Sequence, residues 1–290
     1  MQMMNSGFNV SNAAALSGLL ACLVISGAQA STTIYAFDFR NKHLVSFDAS
    51  TAGIVMSDVA LTGLAVNEYL AGLDFRPATG QLYAVTRFNT MSRVVTIDTD
   101  TGAVASVGSG LSQPLNEAYG MDFDPVSDTI RLVDWRENNI RINPDDGAII
   151  GTDFDLAYVP GDPGIGHNPD IVHIAYDRSI SCTGTTTLLG LDFQYDVLVR
   201  IGGFDGEPSA NTGALTSIGP MGITTFTQNG GFDIDSETGS AFAVVPIQSN
   251  YRLYRIDLTW GAAALIGSVN GGIAGIAIAP VQRIFSNGFE

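Results

Sequence analysis

The feature that most constrains this chain is that it repeats itself. Four segments share the order small residue, apolar residue, Asp: Gly72-Leu73-Asp74-Phe75, Gly120-Met121-Asp122-Phe123, Ala175-Tyr176-Asp177-Arg178 and Gly231-Phe232-Asp233-Ile234. A fifth copy, Gly275-Ile276-Ala277-Ile278, carries Ala in place of the Asp. The copies lie 48, 55, 56 and 44 residues apart. That is the period of a propeller blade and longer than most other repeats.

Each copy continues alike. After Phe75 come a turn at Arg76-Pro77-Ala78-Thr79-Gly80 and strands at 81–86, 94–98 and 103–107, the last two joined by Thr99-Asp100-Thr101-Gly102. Later units place strands at 129–134, 139–143 and 148–151, at 188–192, 197–201 and 214–219, and at 240–245, 252–257 and 262–267. β-Branched and aromatic residues fill these runs, and Pro, Asp and Gly separate them. No sustained 3.6-residue period marks a long helix. The first unit, with strands at 34–37, 44–48 and 54–59, lacks an innermost strand, and Ile273–Ile278 is left to supply it. Sharing one blade between the two ends closes a ring and leaves no open sheet edge. The expectation is an all-β propeller of five four-stranded blades. Six blades is the alternative, because the insertion 153–170 has room for further strands. The Gly, Pro and Asp of 159–169 favour a surface loop there.

Residues 1–30 contain no Asp, Glu, Lys or Arg. A short apolar core, Ala13 to Ile25, precedes Ala28-Gln29-Ala30, which reads as a signal peptide ending at Ala30. Its apolar run is shorter than the ~20 residues of a spanning helix. Leu19-Leu20-Ala21-Cys22 resembles a lipobox, but Leu23-Val24-Ile25 continues apolar where a lipoprotein turns polar. Three segments follow: signal peptide 1–30, one propeller domain 31–280 and a tail 281–290. After cleavage Cys182 alone remains, so no internal disulfide forms and stability rests on core and sheet ladders. Cys182 itself reads as an unreactive loop thiol. The chain has 13 basic and 29 acidic side chains, a net charge of −16. That balance disfavours nucleic acid and anionic membranes as partners. No later segment is long and apolar enough to span a bilayer, and the expected state is a monomer that is secreted or on the cell surface.

Leu44-Val45-Ser46-Phe47-Asp48, GLDFRPATGQLYAV (72–85) and FDPVSDTIRLVDWRENNIRINPDDG (123–147) resemble the bacterial domain of unknown function 4394 family. The likeness runs from Ile34 to about Pro280. It implies a secreted or surface protein with propeller-like repeats, and it implies no reaction. Asp134-Trp135-Arg136-Glu137 departs from the family's smaller, more polar residues, which marks Trp135 and Arg136 as candidate ligand contacts. The tail 283–290 resembles short tails ending in Gly-Phe-Glu on other exported bacterial proteins.

Asp74, Asp122, Asp177 and Asp233 occupy the same place in their repeats, on strands that line the axis. As a ring they are candidate metal ligands, with Ca²⁺ the cation that many oxygens suit. The favoured reading needs no cofactor: each Asp accepts backbone N–H groups from a neighbouring blade and locks the ring. Asp98-Asp100-Gly102 and Asp233-Asp235-Glu237-Gly239 look like Ca²⁺ loops but lack the closing Glu, and read as turns. Arg131 and Arg141 face each other across a hairpin, so an acid belongs between them, either Asp122 or Asp124, or else an anionic ligand. Of His43, His167 and His173, only His173 lies on an innermost strand, and it joins Trp135, Arg136, Arg131 and Arg141 as a candidate binding residue. No catalytic residue stands out. The expected function is a non-catalytic exported binding module for a glycan, an envelope component or another protein. The alternatives are a metal-dependent hydrolase or lactonase using the Asp ring, and a structural surface or matrix component.

Overall fold

The computed structural model describes residues 31–111, 119–225 and 227–280. The expected signal peptide and tail lie outside the described residues. Five sheets, antiparallel but for one short parallel edge strand, stand around an axis as the blades of a propeller. Blade 1 holds β1 (Thr33–Asp38), β2 (His43–Asp48) and β3 (Val55–Ala60). Blade 2 holds β4 (Tyr69–Phe75), β5 (Leu82–Phe88), β6 (Met91–Ile97) and β7 (Val104–Val107). Blade 3 holds β8 (Tyr119–Asp124), β9 (Thr129–Asp134), β10 (Asn139–Ile142) and β11 (Ile149–Thr152). Blade 4 follows with β12 (Ala157–Tyr158), β13 (Ile171–Tyr176), β14 (Leu188–Asp192), β15 (Val197–Ile201) and β16 (Ala214–Pro220). Blade 5 is β17 (Gly231–Asp235), β18 (Ser240–Ile247), β19 (Asn250–Ile256) and β20 (Ala263–Val269). The last strand, β21 (Ile273–Ile278), returns to blade 1. It pairs antiparallel with β1, Ile34 opposite Ile278 and Ala36 opposite Ile276, and closes the ring.

The blades pack face to face, and the apolar core is divided among the joints between them. Val172, Leu191 and Phe193 of blade 4 and its border meet Phe232, Ile234 and Ala243 of blade 5. Ile34 and Phe47 of blade 1 meet Val244 and Leu253 of blade 5. The middle strands are covered on both sides, so β9 and β14 are buried at every position. Such strands read as continuous apolar runs, whereas outermost β11 alternates half-buried and exposed.

Acidic residues build the turns. Asp98 accepts the N–H groups of Asp100 (3.0 Å) and Thr101 (2.8 Å), and Asp257 those of Thr259 (2.8 Å) and Trp260 (3.1 Å). Asp235 does the same for Glu237 at 2.9 Å. Both loops that look like Ca²⁺ sites in sequence are therefore turns in which an Asp side chain stands in for a backbone acceptor. Gly102 ends one of them at φ +71°, where a β-carbon would lie 2.2 Å from the Ala60 carbonyl oxygen of blade 1.

The insertion 153–170 forms no sixth blade. It contributes β12, which runs parallel to β16 and makes blade 4 five-stranded. The Tyr158 hydroxyl donates to Asp192 at 2.5 Å, and Asp162 accepts the Ser217 N–H at 2.7 Å, so the loop is tied to its blade. Among the described residues no helix is long and apolar enough to cross a membrane.

Candidate functional site

The five innermost strands β4, β8, β13, β17 and β21 are the channel wall. One glycine in each of four of them sets how closely they approach. A β-carbon on Gly72 would meet Met121 at 2.6 Å, one on Gly120 the Ile174 nitrogen at 3.0 Å, one on Gly231 the Ile276 nitrogen at 2.4 Å, and one on Gly275 the Leu73 side chain at 2.3 Å. Each glycine thus sits against the residue just after the corresponding position of the next blade. Following that rule, Ile174 identifies His173 as the equivalent in blade 4. Four blades place glycine at the axis and the fifth places a histidine.

His173 lines a cavity of about 510 Å³ at this end of the channel, together with Tyr119, Arg87 and Gln228. Apolar side chains such as Leu70, Met121 and Phe232 and the glycines of the innermost strands complete a wall that is more polar than apolar. His173 is 7% exposed, and its ring meets Phe193 edge-to-face at 5.1 Å. Its Nε2 is buried and has no hydrogen-bond partner. Burial lowers its pKa to about 4, against the opposing pull of the Asn229 backbone, so the ring is neutral at pH 7. Tyr119, at the first position of β8, is 4% exposed, and its hydroxyl is likewise buried without a partner. Burial, then the Asp134 charge, push that phenol well above its ordinary pKa, with Arg87 and Arg136 pulling the other way. It remains a neutral hydroxyl. Leaving a buried polar atom unpaired costs about 1–3 kcal/mol. Two such atoms on residues of one cavity make it the candidate ligand site.

Two residues further along the same strands lies the Asp ring. Asp74 accepts the N–H of Phe75 (2.7 Å) and, across the joint, that of Phe123 in blade 3 (2.9 Å). Asp122 accepts the N–H of Tyr176 in blade 4 (3.2 Å). Asp233 accepts those of Ile234 (2.6 Å) and of Ile278 in β21 (2.5 Å). Three joints of the ring are held this way. Asp177 does not belong to the set, because the position equivalent to Asp122 is Ala175. Asp177 lies beyond the end of β13, where it accepts the Thr187 N–H (2.7 Å) and the Thr186 hydroxyl (3.0 Å) and pairs with Arg178 at 3.2 Å.

The three axial acids are held against their own charge. Burial pushes Asp74 up to about 7, its N–H donors working the other way. Asp122 is raised well above the usual carboxylate range by burial and then by the charges of Asp74 and Asp233, and Asp233 by burial and then by Asp74. Asp122 Oδ1 is buried with no hydrogen-bond partner, and the Asp122 and Asp74 carboxyls act on each other across the joint. A proton on one of the two turns that contact into a carboxyl-to-carboxylate hydrogen bond. Among the described residues no three His, Cys, Asp or Glu side chains are arranged to hold a metal ion.

Arg131 and Arg141 do face each other across the β9–β10 hairpin. The acid between them is Asp153 from the insertion, not Asp122 or Asp124. Asp153 Oδ2 accepts from Arg131 Nη1 at 3.1 Å and from Arg141 Nε at 2.8 Å. Arg131 is 1% exposed and also donates to Tyr176, Asn139 and Asn211, so it ties blade 3 to blade 4 and has no face for a ligand. Trp135 and Arg136 sit on the β9–β10 turn at the cavity's end of the ring. The Arg136 guanidinium lies 4.6 Å over the indole, and Trp135 is half-buried on the joint between blades 4 and 5. His43 pairs with Asp58 at 2.5 Å, and His167 stacks on Tyr195 at 4.8 Å, each away from the axis. Cys182 is exposed in the β13–β14 loop.

Tyr119 and Arg87 escape a reading by residue type, because neither belongs to a recognisable catalytic or metal pattern. The signal that finds the site is the register of blade 4. Aligning His173-Ile174-Ala175-Tyr176 with Gly-Leu-Asp-Phe, instead of Ala175-Tyr176-Asp177-Arg178, exposes the histidine in the glycine slot.

The chain belongs to the family described as Domain of unknown function (DUF4394), whose sequence model matches residues 43–279. No curated protein matches it. Among solved structures, a structural-genomics protein of unknown function from Bacteroides thetaiotaomicron VPI-5482 is 14% identical, with a TM-score of 0.50 over 86% of this chain and 64% of that one. The chain of a nidogen/laminin complex is 12% identical, with a TM-score of 0.49 over 86% and 98% of the two chains. A putative 6-phosphogluconolactonase from Bacteroides uniformis ATCC 8492 is 14% identical, with a TM-score of 0.42 over 84% of each chain. At these identities the likeness concerns the fold alone.

Proposed function

We propose that the protein is an exported, non-catalytic binding module that works at the cell surface or outside the cell and holds its ligand in the axial mouth around His173. The observation that carries this reading is the pair of buried atoms without partners, Tyr119 Oη and His173 Nε2, on the wall of a cavity of about 510 Å³. Pockets of that size suit small ligands, or one group of a larger glycan, envelope component or protein. The described lining contains no Ser, Cys, Lys, Asp or Glu. Among the described residues of this lining, His173 has neither a nucleophile to activate nor an acid to orient it, as hydrolysis by a histidine requires. The metal-dependent alternative is not favoured, because five of the six oxygens of Asp74, Asp122 and Asp233 already accept backbone N–H groups and only Asp122 Oδ1 does not.

Export rests on the apolar core and the Ala28-Gln29-Ala30 site, and amino-terminal sequencing of the protein recovered outside the cytoplasm should begin at Ser31. Retention of Met1 in the cytoplasm, or a lipidated Cys22, refutes it. Binding is tested by a thermal-shift screen of neutral saccharides, sugar acids, envelope polysaccharides and short peptides. A ligand at a hundredfold excess over its dissociation constant stabilises by ~2.7 kcal/mol. Tyr119→Phe should abolish the shift while leaving the unliganded melting temperature within a few degrees. Hits that Tyr119→Phe and His173→Gly leave intact place the ligand elsewhere.

A further inference from the structure

The axial mouth offers a ligand hydrogen bonds but, among the described residues, no free charge. Tyr119 Oη and His173 Nε2 are both buried without a hydrogen-bond partner, and the cavity they share measures about 510 Å³. At pH 7 the phenol is not ionised and the imidazole is neutral. The charged side chains at this end are already engaged. Arg87, the one ionised group of the described lining, has a partner of its own. Outside the lining, the Arg136 guanidinium lies 4.6 Å over Trp135. Lys42 Nζ takes one face of Tyr69 at 5.0 Å and donates to the Ala65 carbonyl at 3.2 Å. Asp170 accepts from Gln228 Nε2 at 2.9 and 3.1 Å. A charged ligand entering here leaves water without gaining a counter-charge, whereas a neutral polar one only exchanges its hydrogen bonds.

The two unpartnered atoms set further conditions. A neutral imidazole has one N–H and one lone pair, and a phenol hydroxyl both gives and takes a hydrogen bond. A ligand group that can do either satisfies both atoms whichever way their hydrogens point, and a hydroxyl is such a group. An amide N–H only donates, and an amide carbonyl only accepts. Between the polar groups, half-buried Phe39 at the β1–β2 turn and the side chains of Leu70, Met121 and Phe232 supply apolar surface. A sugar ring has the matching make-up, hydroxyl edges and C–H faces, and C–H groups suit the negative face of an aromatic ring.

Resting on the binding-module reading, we propose that the axial mouth takes an uncharged sugar ring, with hydroxyls on Tyr119 Oη and His173 Nε2 and C–H groups against Phe39 and Phe232. Four blades carry glycine where blade 4 carries His173, so the histidine is the residue that adds a side-chain hydrogen-bonding position to this level of the ring.

Calorimetric titration of the exported protein with D-glucose, D-galactose and D-mannose tests it. Each sugar is run beside its uronic acid and its 2-amino sugar at about pH 6, where the three are neutral, anionic and cationic. At least one neutral hexose should bind, and its two charged counterparts should each bind at least about tenfold more weakly. Tyr119→Phe and His173→Gly should each weaken that hexose about tenfold. His173→Gly restores the residue of the other blades and should keep the fold, which its melting temperature checks. A free sugar and the end of a neutral glycan share this chemistry. Tighter binding of the trisaccharide than of its hexose assigns the glycan, and equal or weaker binding assigns the free sugar. A uronic acid or amino sugar that binds as tightly as its hexose, or no binding by any hexose or its trisaccharide, overturns the assignment of ligand class. Hexose binding that both variants leave unchanged overturns its placement in the mouth. If the thermal-shift screen nevertheless finds other ligands sensitive to Tyr119→Phe, the mouth stands as the binding site and only the class falls.

Discussion

At the axis, single residues hold protons that their type would not hold elsewhere. Asp74 keeps its proton up to about pH 7, against an ordinary value of 3.8, and burial raises Asp122 and Asp233 well above that ordinary value too. A carboxyl whose pKa is raised by folding stabilises the fold fully below its unfolded value, and that contribution is lost as the pH rises through the folded value. His173 has the opposite sign, since its folded pKa of about 4 lies below its ordinary 6.5, and its contribution is complete once the pH exceeds that value. Above ~pH 6.5, as the pH passes through the folded value of Asp74, the ring acids therefore dominate, and the melting temperature should fall. Each ~1 kcal/mol lost lowers it by about 2–4 °C in a chain of this size. In Asp122→Asn the amide oxygen can still accept from Tyr176 and the amide nitrogen can donate to Asp74, so thermal melts of this variant should be flatter with pH and cost little at pH 7. A melting temperature that rises over this range in the wild type refutes the account. Arg131→Met is the contrasting case. It leaves the buried Tyr176 hydroxyl and Asn139 carbonyl without their donor, while Asp153 keeps Arg141, and chemical denaturation should register a loss of about 1–3 kcal/mol for each buried acceptor left unpaired. Arg141→Met should cost far less, because Arg141 is 27% exposed and Asp153 retains Arg131.

The same turn recurs between elements but is not equally tight. Gly102 and Gly239 both end an Asp-initiated turn with positive φ, +71° and +66°. A β-carbon on Gly239 meets nothing, whereas on Gly102 it meets the Ala60 carbonyl oxygen at 2.2 Å. Gly239→Ala should therefore cost only the left-handed backbone, about 1–2 kcal/mol, and Gly102→Ala clearly more, because blades 1 and 2 must part. Urea denaturation of the two variants makes the comparison, and equal losses refute it. The difference cannot be seen in the two sequences, Asp98-Thr99-Asp100-Thr101-Gly102 and Asp235-Ser236-Glu237-Thr238-Gly239. It depends on which turn has a neighbouring blade beneath it. The insertion illustrates the converse. Its Gly, Pro and Asp content correctly suggests a loop, but β12 forms because β16 presents an outer edge to Ala157 and Tyr158.

As a whole molecule the propeller depends on one strand pairing between its two ends. Without β21, blade 1 exposes the edge of β1 and the Asp233 lock to Ile278 is lost. Ending the chain at Gly271 should yield aggregated or unfolded protein, and a soluble product with an unchanged melting temperature would show that the ring does not close through this strand.

The sequence by itself determined the blade count, the strand positions and the shared first blade, because strand alternation, turn residues and a period near 50 are local properties repeated often enough to be read without contacts. It also placed His173 on an innermost strand and set Arg131 against Arg141, since both follow from strand register. Only the tertiary structure decided that Asp153 neutralises the two arginines, for a residue from an insertion can be matched to its partners only once the loop has folded back. Only the structure corrected Asp177, because blade 4 has slipped by two residues relative to its motif, and period-2 alternation is unchanged by a slip of two. The mouth itself, with Tyr119 and Arg87 brought beside His173, exists in no single repeat. Its residues come from separate blades, and what makes them a candidate site is the shared burial of Tyr119 Oη and His173 Nε2, neither of which has a hydrogen-bond partner among the described residues.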